Sequence, residues 1–238
     1  MAKVSAACPP TRSQWIRRSG RYEVGAGRGP VYCLHMANGL NDPALLELVL
    51  SRRSAAALVE PGPTREELER VLRAAGTVPD HGLLRPFRFV VVEGEGRARF
   101  GDALAATAAE RRPDLPPAGL EKTRAKAFRS PTIVVLIASP KSGKIETWEQ
   151  HATAACAGYA IVLAAHALGI GAVWKSVPFT KGNALTETLG LTDGEEMLGW
   201  IHLGRRAREE VQPARKPLPL AELVSVLDGE GRKPYSAG

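Results

Sequence analysis

From Thr132 to Ser139 the chain reads TIVVLIAS, an apolar run of strand length. Its β-branched content and brevity favour a strand over a helix, and a strand apolar at consecutive positions is covered on both faces. A few residues on, about Trp148 to Leu168, comes the longest helical pattern, with Ala, Val, Ile and Leu on more than one face. A helix apolar nearly all round is buried centrally or at a subunit interface. A central buried strand beside a long buried helix leaves room only for a layered fold.

The neighbouring segments agree. Asp42 can cap a helix with Pro43 in its first position, and Leu45, Leu46, Val49 and Leu50 form its apolar stripe. Thr64, with Glu67 three residues on, opens a second helix running to about Ala75. FRFVVVEG is a strand, GRARFGDALAATAAERR a helix, and a short helix lies around residues 118–127. GIGAVWKSV and EMLGWIHLG are strands, with the short helix KGNALTETLG between them ending at Gly190. VQPARKPLPLAELVSVL reads as an extended arm closing in a short helix. The expected organisation is a basic, disordered leader over residues 1–40, one α+β domain over 41–228, and a flexible tail over 229–238.

Composition narrows the function. The 238 residues are 44% hydrophobic and 24% charged, as in globular proteins. No apolar run approaches the roughly 20 residues of a membrane span, nor is there an N-terminal signal pattern, so a cytoplasmic protein is expected. Of the net charge of +7, residues 1–35 hold +5, because six cations there face Glu23 alone. The patterned part is nearly balanced, which argues against a nucleic-acid partner. Met36 precedes the first patterned segment and is an alternative start. Cys8, Cys33 and Cys156 match neither a disulfide framework nor a zinc spacing, and Cys156 is expected as a small buried hydrophobe.

Several motifs fail on spacing. GEGRARFG follows a strand and opens a helix, but Arg99 stands where a dinucleotide loop needs its third glycine. SPKSGKIE has Ala138 and Ile145 where a P-loop needs glycine and a hydroxyl. His151 and His166 are 15 apart without partner ligands, so no metal site is expected. No nucleophile elbow or triad is present, so any chemistry belongs to a bound cofactor.

Three polar stretches remain. Arg52-Arg53-Ser54 closes the first helix with two guanidinium forks and a hydroxyl, a set suited to phosphate. A solvated helix end, its arginines favoured by the helix dipole, explains the same residues. Pro79-Asp80-His81-Gly82 forms a polar turn before a strand, and an ordinary Asx turn would look alike. Trp174-Lys175-Ser176 ends a buried strand in polar residues, as an ordinary sheet edge also does.

In order, these stretches resemble the nitroreductase family, most closely its small YdjA-type members. The resemblance covers about residues 42–227. It runs through RRS with its P-x-P-T-x-E-x-L sequel, PDH with PF-x-FVV-x-EGEGR, WEQ with the Ala-rich helix, G-x-x-W-K-S, and Leu203-Gly204. It implies an α+β sandwich with a mostly antiparallel central sheet flanked by helices, and an interlocked homodimer with FMN in clefts at its interface. NAD(P)H would be the co-substrate and a nitroaromatic, quinone or similar small electron-poor molecule the acceptor. By the same resemblance Arg52, Arg53 and Ser54 hold the phosphate and ribityl end. Thr77, Pro79, Asp80 and His81 form the loop reaching the flavin from the partner subunit. Trp174, Lys175, Ser176 and Gly204 belong to the strands along the ring, and Arg215 with Lys216 forms a C-terminal basic pair near the phosphate.

The chain departs from the pattern too. Lys175 replaces the usual Arg, and Asp80, Leu83, Arg85 and Phe87 stand where many members have Ser, Asn, Gln and Trp. Ring contacts are then expected from backbone and His81, with Arg85 adding positive charge near the pyrimidine end. A flavoprotein of this fold with another redox reaction, or one that only binds FMN, remains the alternative reading.

Overall fold

The structure is a computed structural model that describes residues 43–207 and 214–236. The leader, Met36 as a start and the Asp42 cap lie outside the described residues. In chain order come α1 (Pro43–Ser51), β1 (Leu58–Val59), α2 (Arg65–Ala74), β2 (Phe87–Val92), α3 (Gly96–Arg111) and α4 (Pro117–Arg124). Then follow β3 (Thr132–Ala138), α5 (Thr147–Ala167), β4 (Gly171–Lys175), α6 (Asn183–Leu189) and β5 (Glu196–Arg206). The chain closes with α7 (Leu220–Leu223), β6 (Ser225–Asp228) and β7 (Gly231–Pro234).

Local chemistry sets several boundaries. Thr64 and Glu67 form the expected reciprocal cap of α2, with the Glu67 amide donating to Thr64 Oγ1 and the Thr64 amide to Glu67 Oε2. Pro43 opens α1. Gly190 ends α6 in the left-handed conformation.

β3 is buried at every position, as its apolar run predicts. It lies antiparallel between β2 and β5. β5 also pairs antiparallel with β4 and, at its C-terminal end, with β1, which makes a five-stranded sheet. Side chains alternate along β3 into two cores. Ile133, Val135 and Ile137 pack with Phe100 and Leu104 of α3 and Leu185 of α6. Val134 packs with Ile161 of α5 and Val71 of α2 on the opposite face. Both faces being covered, the strand is apolar at every position but Thr132, whose buried hydroxyl donates to Glu93 Oε1 at 2.7 Å.

Two polar inclusions lock the layers. Trp200 stands edge-on to Phe100, with ring centroids 5.4 Å apart, and its indole N–H donates to His202 Nε2 at 2.8 Å. Nε2 therefore accepts, and Nδ1–H faces the Ser130 hydroxyl at 2.7 Å, which itself donates to the Thr132 carbonyl. Burial holds His202 down at about 4 and hence neutral, with Arg129 and Lys175 adding to the effect. Elsewhere Arg88 of β2 grips buried Glu195 through two bonds of 2.8 and 2.7 Å, and also donates to the last carbonyls of α6.

Three expectations change. Cys156 is exposed rather than buried. It belongs with Trp148, Ala152 and Tyr159 to an exposed face of α5, although most of the helix is packed inward. Strand β1 and the β6–β7 hairpin were not anticipated, and the hairpin includes residues 231–234 of the expected tail. Two-residue and four-residue strands carry too little periodicity to be read from sequence. The apolar stripe of α1 is present, but Leu45, Leu46, Val49 and Leu50 are all exposed and α1 has no buried residue.

Candidate functional site

The last turn of α1 leaves unpaired carbonyls, and arginines gather on them. Arg53 donates through Nη1 to the carbonyls of Leu50 at 3.0 Å and Arg52 at 3.1 Å. Arg215 Nη2 donates to the Arg52 carbonyl at 2.6 Å, and Arg206 Nη2 to the Arg53 carbonyl at 3.2 Å. Three guanidinium groups thus donate to the carbonyls of Leu50, Arg52 and Arg53, and the charge of Arg52 acts with those of Arg53 and Arg206 on the nearby His166. None of them has a carboxylate partner among the described residues. Below them the Ser51 hydroxyl donates to Leu48 O and lies 3.1 Å from His166 Nε2 of α5. His166 sits below its ordinary value, first because of burial and then because of Arg206, Arg52 and Arg53. Like charges held this close without counter-charge repel, and an anion relieves that repulsion.

A backbone bond from Ala55 N to Ala172 O, 2.9 Å, fastens this junction to β4. Apart from that bond, the side of β4 away from β5 pairs with no strand among the described residues. From Ala172 to Lys175 the strand advances about 10 Å at its usual rise per residue. The arginine junction and the Trp174–Lys175–Ser176 end are therefore the two ends of one open strand edge. Lys175 and Ser176 are exposed there.

Trp174 behaves differently from the expectation. Its indole N–H donates to the Leu198 carbonyl at 3.3 Å, and its ring packs on α5, where a Cβ at Gly158 would stand 2.8 Å from it. Gly199 permits this seating, because its φ of 119° and its approach to the Lys175 carbonyl exclude a side chain. The Trp174 side chain is thus a wedge between sheet and helix, and only its backbone lies on the open edge. Gly204 is buried opposite Gly171, where a Cβ would meet Pro131 Cδ at 2.9 Å and Val59 O at 3.0 Å. Close packing, rather than exposure to a ligand, accounts for that glycine.

The second motif folds by itself. Asp80 Oδ1 accepts from the Leu84 amide at 3.2 Å and Oδ2 from the Arg85 amide at 2.7 Å. These bonds hold Leu83 and Arg85 at φ of 53° and 47°, a region that costs about 1–3 kcal/mol for a side-chain-bearing residue. The Asp80 carboxylate is therefore engaged by backbone. Thr77 donates to the Ala74 carbonyl and Pro79 O accepts from Thr153 Oγ1 of α5. The exposed His81 places Nδ1 3.0 Å from Glu149 Oε2 at the start of α5. A small cavity of about 210 Å³ opens beside Asp80, Leu83 and Arg85.

α5 measures the separation of the two motifs. His81 touches Glu149 and the arginine junction touches His166, some 25 Å apart at 1.5 Å per residue. One chain brings Arg52, Arg53, Ser54 and Arg215 to the β4 edge but leaves the His81 loop at the far end of α5. Sequence reasoning missed Arg206 and His166. The arginine directly after Leu203-Gly204-Arg205 on β5 was the available signal for the first, whereas His166 lay hidden in the Ala-rich helix. A larger cavity of about 1020 Å³ lies past Ser176, between α3, α4 and the loop Val177–Lys181.

Against known proteins, a family model described as "Nitroreductase family" matches residues 49–205. The chain is 38% identical over 160 residues to the putative NAD(P)H nitroreductase YdjA of Escherichia coli K12, covering 67% of this chain and 86% of that protein. Among solved structures, a nitroreductase-like family protein from Bacillus cereus superposes with a TM-score of 0.65 at 24% identity, over 78% of this chain and 96% of its own. NfnB, an FMN- and NADPH-dependent nitroreductase from a sphigopyxis strain, gives 0.61 at 19% identity, over 75% and 96%. At such identities the two structures speak for the fold.

Proposed function

The chain belongs to the nitroreductase family, and from that premise we propose that it is an FMN-dependent NAD(P)H oxidoreductase of the cytoplasm, acting on nitroaromatic, quinone or similar electron-poor acceptors. The observation that carries the reading is the cluster of Arg52, Arg53, Arg206 and Arg215 at one end of the open β4 edge, without carboxylate partners among the described residues. The fit to FMN is chemical. A phosphate dianion requires converging, rigid cationic donors, and the guanidiniums of Arg53, Arg206 and Arg215 are already oriented by backbone carbonyls. A planar ring requires an open edge that presents backbone groups, and Trp174 to Ser176 provides it.

Bound FMN supplies the two-electron chemistry between NAD(P)H and the acceptor. The protein positions and polarises. Arg52, Arg53 and Ser54 anchor the phosphate, with Arg206 and Arg215 stiffening their carbonyls. Lys175 places a positive charge near the ring, where it favours a reduced, anionic flavin. No general acid or base is assigned.

Two copies complete the site. The His81 loop sits about 25 Å from the arginines of its own chain, so it serves the cleft of a partner. The uncovered apolar side chains of α1 and the Trp148–Ala152–Cys156–Tyr159 face of α5 are the surfaces such a partner covers. Among the described residues no helix is long and apolar enough to cross a membrane.

The test is a visible spectrum of the purified protein, followed by anaerobic addition of NADPH. Flavin bands that bleach are expected. A colourless protein that takes up no added FMN would overturn the reading, and bands that persist after NADPH and then NADH would leave flavin binding without reductase activity.

A further inference from the structure

The cavity of about 1020 Å³ beyond the strand end plays no part in holding the flavin as described above. It begins at Val177, one residue after Ser176, so it continues the β4 edge away from the arginine junction. Arg111, Arg112, Lys122, Lys126 and Lys181 all line it, and no Asp or Glu does. Nearby carboxylates compensate this charge only in part. Asp114 reaches Arg112 at 3.8 Å, Glu196 attracts Lys181 while bonded to His151 at 2.7 Å, and Glu110 is engaged by the Asn183 amide at 3.0 Å. Lys122 and Lys126 are one helical turn apart, a spacing at which like charges destabilise each other. Burial, then Arg129 and Lys122, hold the Lys126 ammonium below its ordinary value. Arg111 fixes the wall by donating to the Lys181 carbonyl at 3.1 Å. The remaining wall is apolar, with Leu115, Val177 and Phe179 offering flat contact area.

Five cations around an apolar wall match a ligand that is both multiply anionic and flat. A phosphorylated nucleoside has that character, since each terminal phosphate brings a charge of about −1.5 to −2. We propose that this cavity binds the adenosine end of the reductant, with the cations selecting the 2′-phosphate that distinguishes NADPH from NADH. The inference rests on the reductase reading, which places the hydride donor at the flavin beside Ser176. Lys122 of α4 and Lys126 of the turn that follows it face the phosphate, Arg111, Arg112 and Lys181 surround it, and the base lies against Phe179.

The test uses the purified flavin-loaded protein and two probes, adenosine 2′,5′-bisphosphate and AMP, titrated calorimetrically at low and moderate salt. The bisphosphate is expected to bind at least about tenfold more tightly than AMP, with an advantage that shrinks as salt rises. The Lys122→Ala/Lys126→Ala double variant is expected to lose that advantage. Lys122 is exposed and Lys126 half-buried, and a Lys122→Gln/Lys126→Gln pair keeps the stems if the alanines disturb folding. Equal binding of the two probes, or undiminished preference in both double variants, would refute the proposal. Anaerobic bleaching by NADPH and NADH in the same preparation reads the reductase assignment separately. If neither nucleotide bleaches the flavin, that assignment fails while the two probes still decide the cavity.

Discussion

His202 offers a quantitative check on the core, because its neutrality is built in. The imidazole is 1% exposed, accepts from the Trp200 indole and faces the Ser130 hydroxyl. Its folded value of about 4 lies below the ordinary 6.5. A lowered value means that the unfolded chain binds the proton more readily. Stability from this group is therefore complete above about pH 6.5 and drains away as pH falls toward 4. At about 1.4 kcal/mol per unit, acidifying from about pH 7 to pH 5 removes about 2 kcal/mol through His202. His166 is lowered as well and acts in the same direction. Glu67, Glu195 and Glu196, whose values are lowered by hydrogen-bonding partners, lose their contributions only below about pH 4.5. Urea unfolding of wild type and His202→Asn, at fixed protein and FMN concentration, isolates the term. Wild type should lose about 2 kcal/mol more than the variant between the two pH values. The imidazole proton resonance of His202 should also not titrate near pH 6.5. Identical pH slopes, or a resonance that moves with a midpoint near 6.5, would refute the argument.

Other outcomes follow from the same geometry. Arg52→Ala should weaken FMN binding about 10- to 100-fold by fluorescence titration, since a charged hydrogen bond contributes about 1.5–3 kcal/mol. Arg88→Met leaves the Glu195 carboxylate, 6% exposed, without its partner and should lower stability by about 3–5 kcal/mol in a urea melt. Asp80→Ala releases the Leu84 and Arg85 amides, so hydrogen exchange there should accelerate at least tenfold. Tyr159→Glu, on the uncovered face of α5, should shift the sedimentation coefficient from dimer to monomer at micromolar concentration, whereas an unchanged value would remove α5 from the interface.

Much of this was legible in the residues themselves. The unbroken apolar run of β3 declared a doubly covered strand, Thr64 with Glu67 declared a helix start, and Gly190 declared a helix end. Each is a local signal, since a cap, a turn or a two-sided burial leaves its mark within a few positions. The phosphate-binding reading of Arg52 and Arg53 was legible only as one of two explanations, because a helix dipole attracts the same residues.

Tertiary structure added to that reading by bringing Arg206 and Arg215 from 153 and 163 positions away onto the carbonyls of Arg53 and Arg52. It also gave three of the expected site residues packing or backbone roles within the chain. Asp80 turned inward to hold strained backbone, Trp174 became a wedge, and Gly204 became a packing site. Which atoms a side chain meets depends on segments distant in sequence, and no spacing rule encodes that. The five-cation cavity was invisible for the same reason, since α3, α4 and the loop after β4 contribute to it from three separate stretches. Sequence determined most of the elements and several of their ends through local signals; only packing determined which charges face one another, because that depends on segments distant in the chain.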